Sequence, residues 1–442
     1  MQLLECIDER NPKETTLNSS DTKKDGDGKA RIQQLETKPA SNRRGYGALI
    51  PVLAGMMAIG PFSTDMYLPG FLAIAKGLET DIAQVGLSLT SYFIGVAIGQ
   101  IAYGPMLDRY GRKRPLMLGF LVYTLASLGC ALSPTIHVLV GMRFFAALGG
   151  CVGMVGSRAV VRDLFSGTEM ARILSLLMMV FGIAPIIAPT VGSFMVSAFS
   201  WRYIFLVLAA ISALVLAAVS RFLVETKGPD TSISLHPKNV LLEYIDVLRN
   251  HTFLIYAVAA AAATAGFFSY ITGSPFVYME LLGFTEKEFG WIYGGNVMGL
   301  ILSNQVNRVL LKKRSGGEIL RMVTAIQFCL ALVLVAGGIA GFVGKLSILC
   351  LIFGYLFCFG FVMANAVALA LEPFSRNAGS ASALIGSLQM VAGAFASGLV
   401  SFLHNGTIMP MAWVMAGCTG ICLLLLSGFT AFRNAQSNSY NR

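Results

Sequence analysis

Residues 60–70 read GPFSTDMYLPG, and they put a carboxylate, Asp65, at the far end of an apolar run that begins near Tyr46. A second apolar run, residues 138–160, holds a guanidinium, Arg143, close to its start. An ionised side chain at membrane depth costs on the order of 3 kcal/mol on insertion scales and more in simulations, so neither charge is there to anchor a helix. At about 1.5 Å per residue, Asp65 lies roughly 27 Å along its helix from Gly47, and Arg143, entering from the opposite side, reaches a similar depth. Opposite charges at matching depth lower one another's insertion cost, and neutralising one changes the other's affinity for charge. The chemistry this supports is a proton switch; a pair that merely orders two helices is the competing reading.

A second chemistry is offered by GPMLDRYGRKRP, residues 104–115. An acid, Asp108, beside Arg109, Arg112 and Lys113 makes an ion-pair network that can be formed and broken at a membrane surface. Gly104 and Gly111 allow close helix packing and a tight turn. A degraded copy, SNQVNRVLLKKRSG, follows at 303–316 with Asn307 in place of Asp108.

The scaffold that positions these residues is legible in composition. Of 442 residues, 55% are hydrophobic and 13% charged, against about 25% charged in soluble domains. This is an all-α membrane protein. A spanning helix needs roughly 20 apolar residues, which divides the chain into about twelve spans. Pro51, Pro61 and Pro69 predict a kink in the first. Residues 1–45, rich in Lys, Asp, Gly and Ser, read as a disordered cytoplasmic tail. MQLLECI is too short for a secretory signal. A polar linker, 225–250, divides a bundle of six spans at 46–224 from another at 251–433, and 434–442 is a second tail. Only Lys76, Arg202, Lys287 and Lys345 fall in loops on one side, while the basic tail, the 109–114 cluster and Arg308–Arg314 fall on the other. That bias puts both termini in the cytoplasm by the positive-inside rule. The net charge of +10 is therefore a membrane signal and no sign of nucleic-acid binding.

Cys6 lies in the tail and the other seven of eight cysteines lie in apolar spans, so no disulfide framework is implied. Cys418 and Cys422 share a helix face without a nearby His, Asp or Glu. The four histidines form no metal-ligand spacing. No nucleophile motif or phosphate loop stands out, so no enzyme, cofactor or metal is expected.

GPMLDRYGRKRP resembles the loop between the second and third helices of the major facilitator superfamily, Gly-x-x-x-Asp-Arg-x-Gly-Arg-Lys, matching from Gly104 through Lys113. STDMYLP, MRFF (142–145), APTVGS (188–193), SWRYIF (200–205) and NAVALALEPFSRNAGSASALIGSLQ (365–389) look like the Bcr/CflA branch of drug:proton antiporters. The resemblance covers about residues 46 to 432. It implies a major facilitator fold, 12 transmembrane helices in two six-helix bundles, with the first and fourth helices lining the cavity. It implies that Asp108 faces the start of the eleventh helix, where Ser380 or Ser382 caps, and that Arg112 pairs with Asp163 at the end of the fourth. Those contacts would hold the cytoplasmic side shut. The fifth-helix antiporter motif keeps Pro189 and Gly192 but has Ala188 and Ser193 where Gly is usual. The fourth-helix motif has Ala146 and Ala147 where Gln and Gly are common.

The function these readings support is a proton-coupled exporter of drugs or small amphipathic molecules, acting as a monomer in the bacterial inner membrane. Asp65 would accept an outside proton, loosening its tie to Arg143, and cytoplasmic substrate would compete for the deprotonated state. A proton-coupled importer, or an exporter of a metabolite or siderophore, is the alternative. Tyr92, Asn296, Asn304, Asn365 and Gln389 are candidate polar liners of the substrate cavity.

Overall fold

The computed structural model describes residues 43–230, 245–341, 344–374 and 378–440, with side chains over 49–230, 245–341, 344–374 and 381–429. Most of the expected N-terminal tail, the middle of the linker and the Ser380 side chain lie outside the described residues. Residues from Ala48 onward form one compact body. Its long helices are α1 (Leu49–Gly77), α2 (Ile82–Tyr110), α3 (Lys113–Ala131), α4 (Ile136–Leu164), α5 (Gly167–Ala198), α6 (Trp201–Phe222) and α7 (His251–Leu281). The remainder are α8 (Glu286–Leu310), α9 (Gly316–Ala340), α10 (Lys345–Leu371), α11 (Ala378–Phe402) and α12 (Met409–Tyr440). Backbone helix thus reaches Tyr440, into the segment expected to be a tail.

Eleven of these are long and apolar enough to cross a membrane. The exception, α8, is 25 residues long. Glu286, Lys287, Glu288 and Arg308 at its ends and Asn296, Asn304, Gln305 and Asn307 within it lower its apolarity. Large apolar side chains such as Leu214 (71% exposed) and Leu424 (75%) point outward from the helices, as a lipid-facing surface requires.

Local chemistry sets the helix ends. Asp81 accepts from the Gln84 N–H at 2.7 Å, Asn250 from the Phe253 N–H at 3.0 Å, and Thr285 forms a reciprocal capping box with Glu288. In α1 the regular helix stops at Asp65, and the chain passes through a tighter turn at Leu68–Gly70 before resuming at Phe71. Pro69 sets that turn, because its ring fixes φ and it has no N–H to continue the ladder. Pro51 and Pro61 stay inside the helix.

In the first bundle α2 packs on α4, and α3 on α4 and α6; the second repeats this as α8 on α10, and α9 on α10 and α12. The bundles meet where α2 packs on α11 and α5 on α8. Ser397 of α11 bonds Thr90 of α2 at 2.9 Å and Thr272 of α7 at 2.7 Å. Phe93 of α2 stacks on Phe268 of α7 with ring centres 4.1 Å apart.

Two glycines hold α1 in place. A Cβ on Gly153 of α4 would strike the Met56 carbonyl, and one on Gly192 of α5 would strike the Met66 carbonyl, beside Asp65. Backbone cannot retreat as a side chain can. Gly192→Ala is therefore expected to cost about 1–3 kcal/mol, the usual penalty of overpacking, read as a lower thermal midpoint of purified protein. An unchanged midpoint would mean that α5 does not approach α1 this closely.

Candidate functional site

Asp65 sits where α1 breaks and is only 4% exposed. Its Oδ1 accepts from Tyr293 Oη of α8 at 3.0 Å and from its neighbour Thr64 Oγ1 at 3.1 Å. Tyr293 belongs to a packed aromatic group in the second bundle. Its ring lies nearly parallel to Tyr270 of α7, centres 6.0 Å apart, and against Phe289 at 5.9 Å. Asn296 Nδ2 donates to Tyr270 Oη at 2.9 Å and to Tyr278 Oη at 3.4 Å. Tyr278 comes from a widened helical stretch, Phe276–Leu281, that closes α7. The buried acid of the first bundle therefore rests on a hydroxyl of the second.

Arg143 is 1% exposed. Its Nη1 donates to the Ser63 carbonyl at 3.0 Å and to Ser63 Oγ at 3.3 Å. The guanidinium carbon lies 4.2 Å from the ring centre of Tyr92 and 4.6 Å from that of Tyr67. Nε and Nη2 have no hydrogen-bond partner among the described residues. Each desolvated ring contact contributes about 2 kcal/mol and a charged hydrogen bond about 1.5–3 kcal/mol, against a burial penalty of several kcal/mol per ion. The cation is held, but two of its donors remain free.

The expected tie between Asp65 and Arg143 is absent: no ion pair within 4.0 Å joins them. The reason lies in helix geometry. Positions i and i+2 do not share a face, so Ser63 turns toward Arg143 on α4 while Asp65 turns toward α8.

At the other end of the bundle, Arg112 is 2% exposed and grips Asp163 with two bonds, Nε to Oδ2 at 2.7 Å and Nη2 to Oδ1 at 3.2 Å. Its Nη1 reaches Asp108 at 2.8 Å. Lys227 Nζ bonds the same Asp108 oxygen at 3.0 Å, and Thr226 Oγ1 bonds Asp163 at 3.0 Å. Glu225 accepts from the backbone N–H groups of Arg112 at 2.5 Å and Lys113 at 3.2 Å, capping the start of α3 from outside the helix. Gly111 makes this possible: its φ is +82°, and a Cβ there would collide with the Glu225 carboxylate. Burial works against the Arg112 cation, but the bonds to Asp163 and Asp108 outweigh it and hold the guanidinium above its ordinary pKa. A raised basic pKa keeps the Arg112 cation charged until strong alkali, where its half of the pairing is lost.

The other expected residues are dispersed. Tyr92 belongs to the Arg143 slot and Asn296 to the Tyr293 group. Asn365 Nδ2 donates to Asn307 at 2.8 Å, and Gln389 reaches Met363 Sδ at 3.8 Å. Asn304 is exposed, and the buried position on that face of α8 is Asn307. Pro189 faces the second bundle, its carbonyl 3.5 Å from the Cβ position of Gly290 on α8, whereas Gly192 meets α1 within the first bundle. A Cβ on Gly104 would meet nothing within 4 Å, so no close helix approach depends on it, and Arg109 lies over the Tyr110 ring. The side chains at the start of α11, which Asp108 is expected to face, lie outside the described residues. Tyr293, Ser63 and Glu225 were not expected; GWIYGGN (290–296), with Tyr293 one turn before Asn296, is the signal for the first.

Two helical bundles sharing a seam around a buried acid make this molecule, by its architecture, a membrane transporter. The model of the Major Facilitator Superfamily matches residues 53–397, and the chain belongs to that family. It is 35% identical over 396 residues to an uncharacterized MFS-type transporter, YdgK, of Bacillus subtilis, covering 87% of this chain and 96% of that one. It is 31% identical over 400 residues to a bicyclomycin resistance protein homolog of Haemophilus influenzae, covering 88% and 97%, a relative of the Bcr/CflA-like branch. The fold matches the nucleoside transporter NupG with a TM-score of 0.67 at 15% identity, covering 86% of this chain and 98% of that one.

Proposed function

We propose that this transporter exports small amphipathic compounds across the bacterial inner membrane in exchange for protons, with both termini and the Arg112 network on the cytoplasmic side. The observation that carries this reading is Asp65: a buried acid at the seam between the bundles, met by hydroxyls and by no cation. A group so placed changes charge at a large energetic cost, so its protonation state biases which arrangement of the bundles is stable. Arg143, on the same bundle with two unused donors, supplies a place for the ionised form. A drug entering from the cytoplasm competes with the proton for that state, and exchange follows because one site does not hold both. The kinship with a bicyclomycin resistance homolog supports export over import.

The test uses inverted vesicles containing the protein and energised with an acidic lumen. Bicyclomycin and a panel of toxic amphiphiles are added, chosen from compounds that cells with the protein tolerate better than cells without it. The expected result is collapse of the pH gradient on addition. A panel in which no compound is better tolerated and none discharges the gradient overturns the reading.

A further inference from the structure

We propose that Tyr293 is the positioning residue through which the second bundle reads the protonation state of Asp65, so that the seam at this end is latched only while Asp65 carries a proton. The inference rests on the preceding reading of Asp65 as the proton carrier.

Both donors to Asp65, Tyr293 Oη and Thr64 Oγ1, converge on Oδ1, and Oδ2 has no donor among the described residues. A full negative charge in this position, 4% exposed and with no cation within 4.0 Å, would leave most of its burial cost uncompensated. The neutral acid suits the same geometry. Its proton resides on Oδ2, and Oδ1 accepts from the two hydroxyls as a carbonyl oxygen does.

The ionised acid has a stronger partner within its own bundle. Arg143 Nε and Nη2 are buried and unbonded, and their guanidinium is already tied to Ser63, two residues before Asp65. Regular helix ends at Asp65 itself, so its last turn rewinds without breaking a longer ladder. Pairing with Arg143 draws the carboxylate off Tyr293 and deletes a bond between α1 and α8. The other titratable groups facing Asp65 are Tyr92 from α2 and Tyr270 from α7; α5 meets this part of α1 with Gly192.

Tyr293 is built to hold still for this purpose. Tyr270 and Phe289 fix its ring, and Asn296 fixes Tyr270 while also holding Tyr278. A proton on one bundle is thereby sensed by a rigid hydroxyl on the other. In the exchange cycle the proton-loaded carrier closes at this end, and the substrate-loaded, deprotonated carrier is free to open there.

The experiment places spin labels at Lys76→Cys on α1 and Lys287→Cys on α8, both exposed, in a background with Cys6, Cys329 and Cys350 changed to Ser. Distances across the seam are measured in acidic and alkaline buffer. The unaltered latch is expected to gain short distances on acidification. Tyr293→Phe, which keeps the ring and removes the hydroxyl, is expected to lose that response while melting like the parent, and to slow substrate-driven proton exchange about tenfold, the scale of one hydrogen bond. Asp65→Asn, a neutral acceptor at any pH, is expected to hold short distances in both buffers. A Tyr293→Phe protein that still follows acidification as the parent does overturns the latch. An Asp65→Asn protein that still exchanges protons overturns the reading on which it rests.

Discussion

Asp65→Asn is expected to abolish substrate-driven proton release while leaving the protein folded in the membrane. The substitution keeps the size of the side chain and an oxygen able to accept from Tyr293 and Thr64, so the packing around the α1 break has no reason to change. What disappears is the exchangeable proton. On the proposed scheme, reversible neutralisation of one buried group is the whole of the coupling, so the effect is a loss of exchange rather than a graded weakening. Purified mutant in vesicles, challenged with a substrate identified for the parent, gives the measurement. Exchange at the parental rate would remove Asp65 from the mechanism.

Arg112→Ala is expected to slow transport by about a hundredfold without an equal loss of substrate affinity. The guanidinium is shared by Asp163 and Asp108, and its removal leaves two carboxylates facing each other at the bundle end. Breaking a buried ion pair by deleting one partner costs about 3–5 kcal/mol. Lys227 and Thr226 still hold the carboxylates, so the low end applies. About 3 kcal/mol corresponds to roughly a hundredfold shift in an equilibrium. On the proposed scheme the substrate binds nearer the seam, so affinity is spared. Transport rate and binding constant measured side by side decide the matter, and an equal fall in both would count against a gating role.

The helices were readable because a spanning segment has to satisfy its own backbone and therefore declares itself as a long apolar run. The break in α1 was readable from Pro69, and the cost of burying charge singled out Asp65 and Arg143 without any neighbour being known. Partners were another matter. Tyr293 is 228 residues from Asp65, and although GWIYGGN sets it apart from the other tyrosines, nothing in one sequence says that it meets Asp65. The Asp65–Arg143 tie was expected from depth alone, and depth does not report which face of a helix a residue occupies. Residue type does not report burial either: one turn apart on α8, Asn304 is exposed and Asn307 is buried. Gly104 illustrates the converse, since a spacing that permits close packing does not oblige a neighbour to arrive.

The polar stretch after α6 begins as part of the first bundle. Glu225 closes the start of α3, Thr226 touches Asp163 and Lys227 touches Asp108. Anyone dividing the transporter into two co-expressed pieces, or fusing a reporter between its halves, has to leave these three residues attached to the first piece. A cut placed directly after Phe222 would strip a stopper from one helix and two tethers from the charged knot beside it.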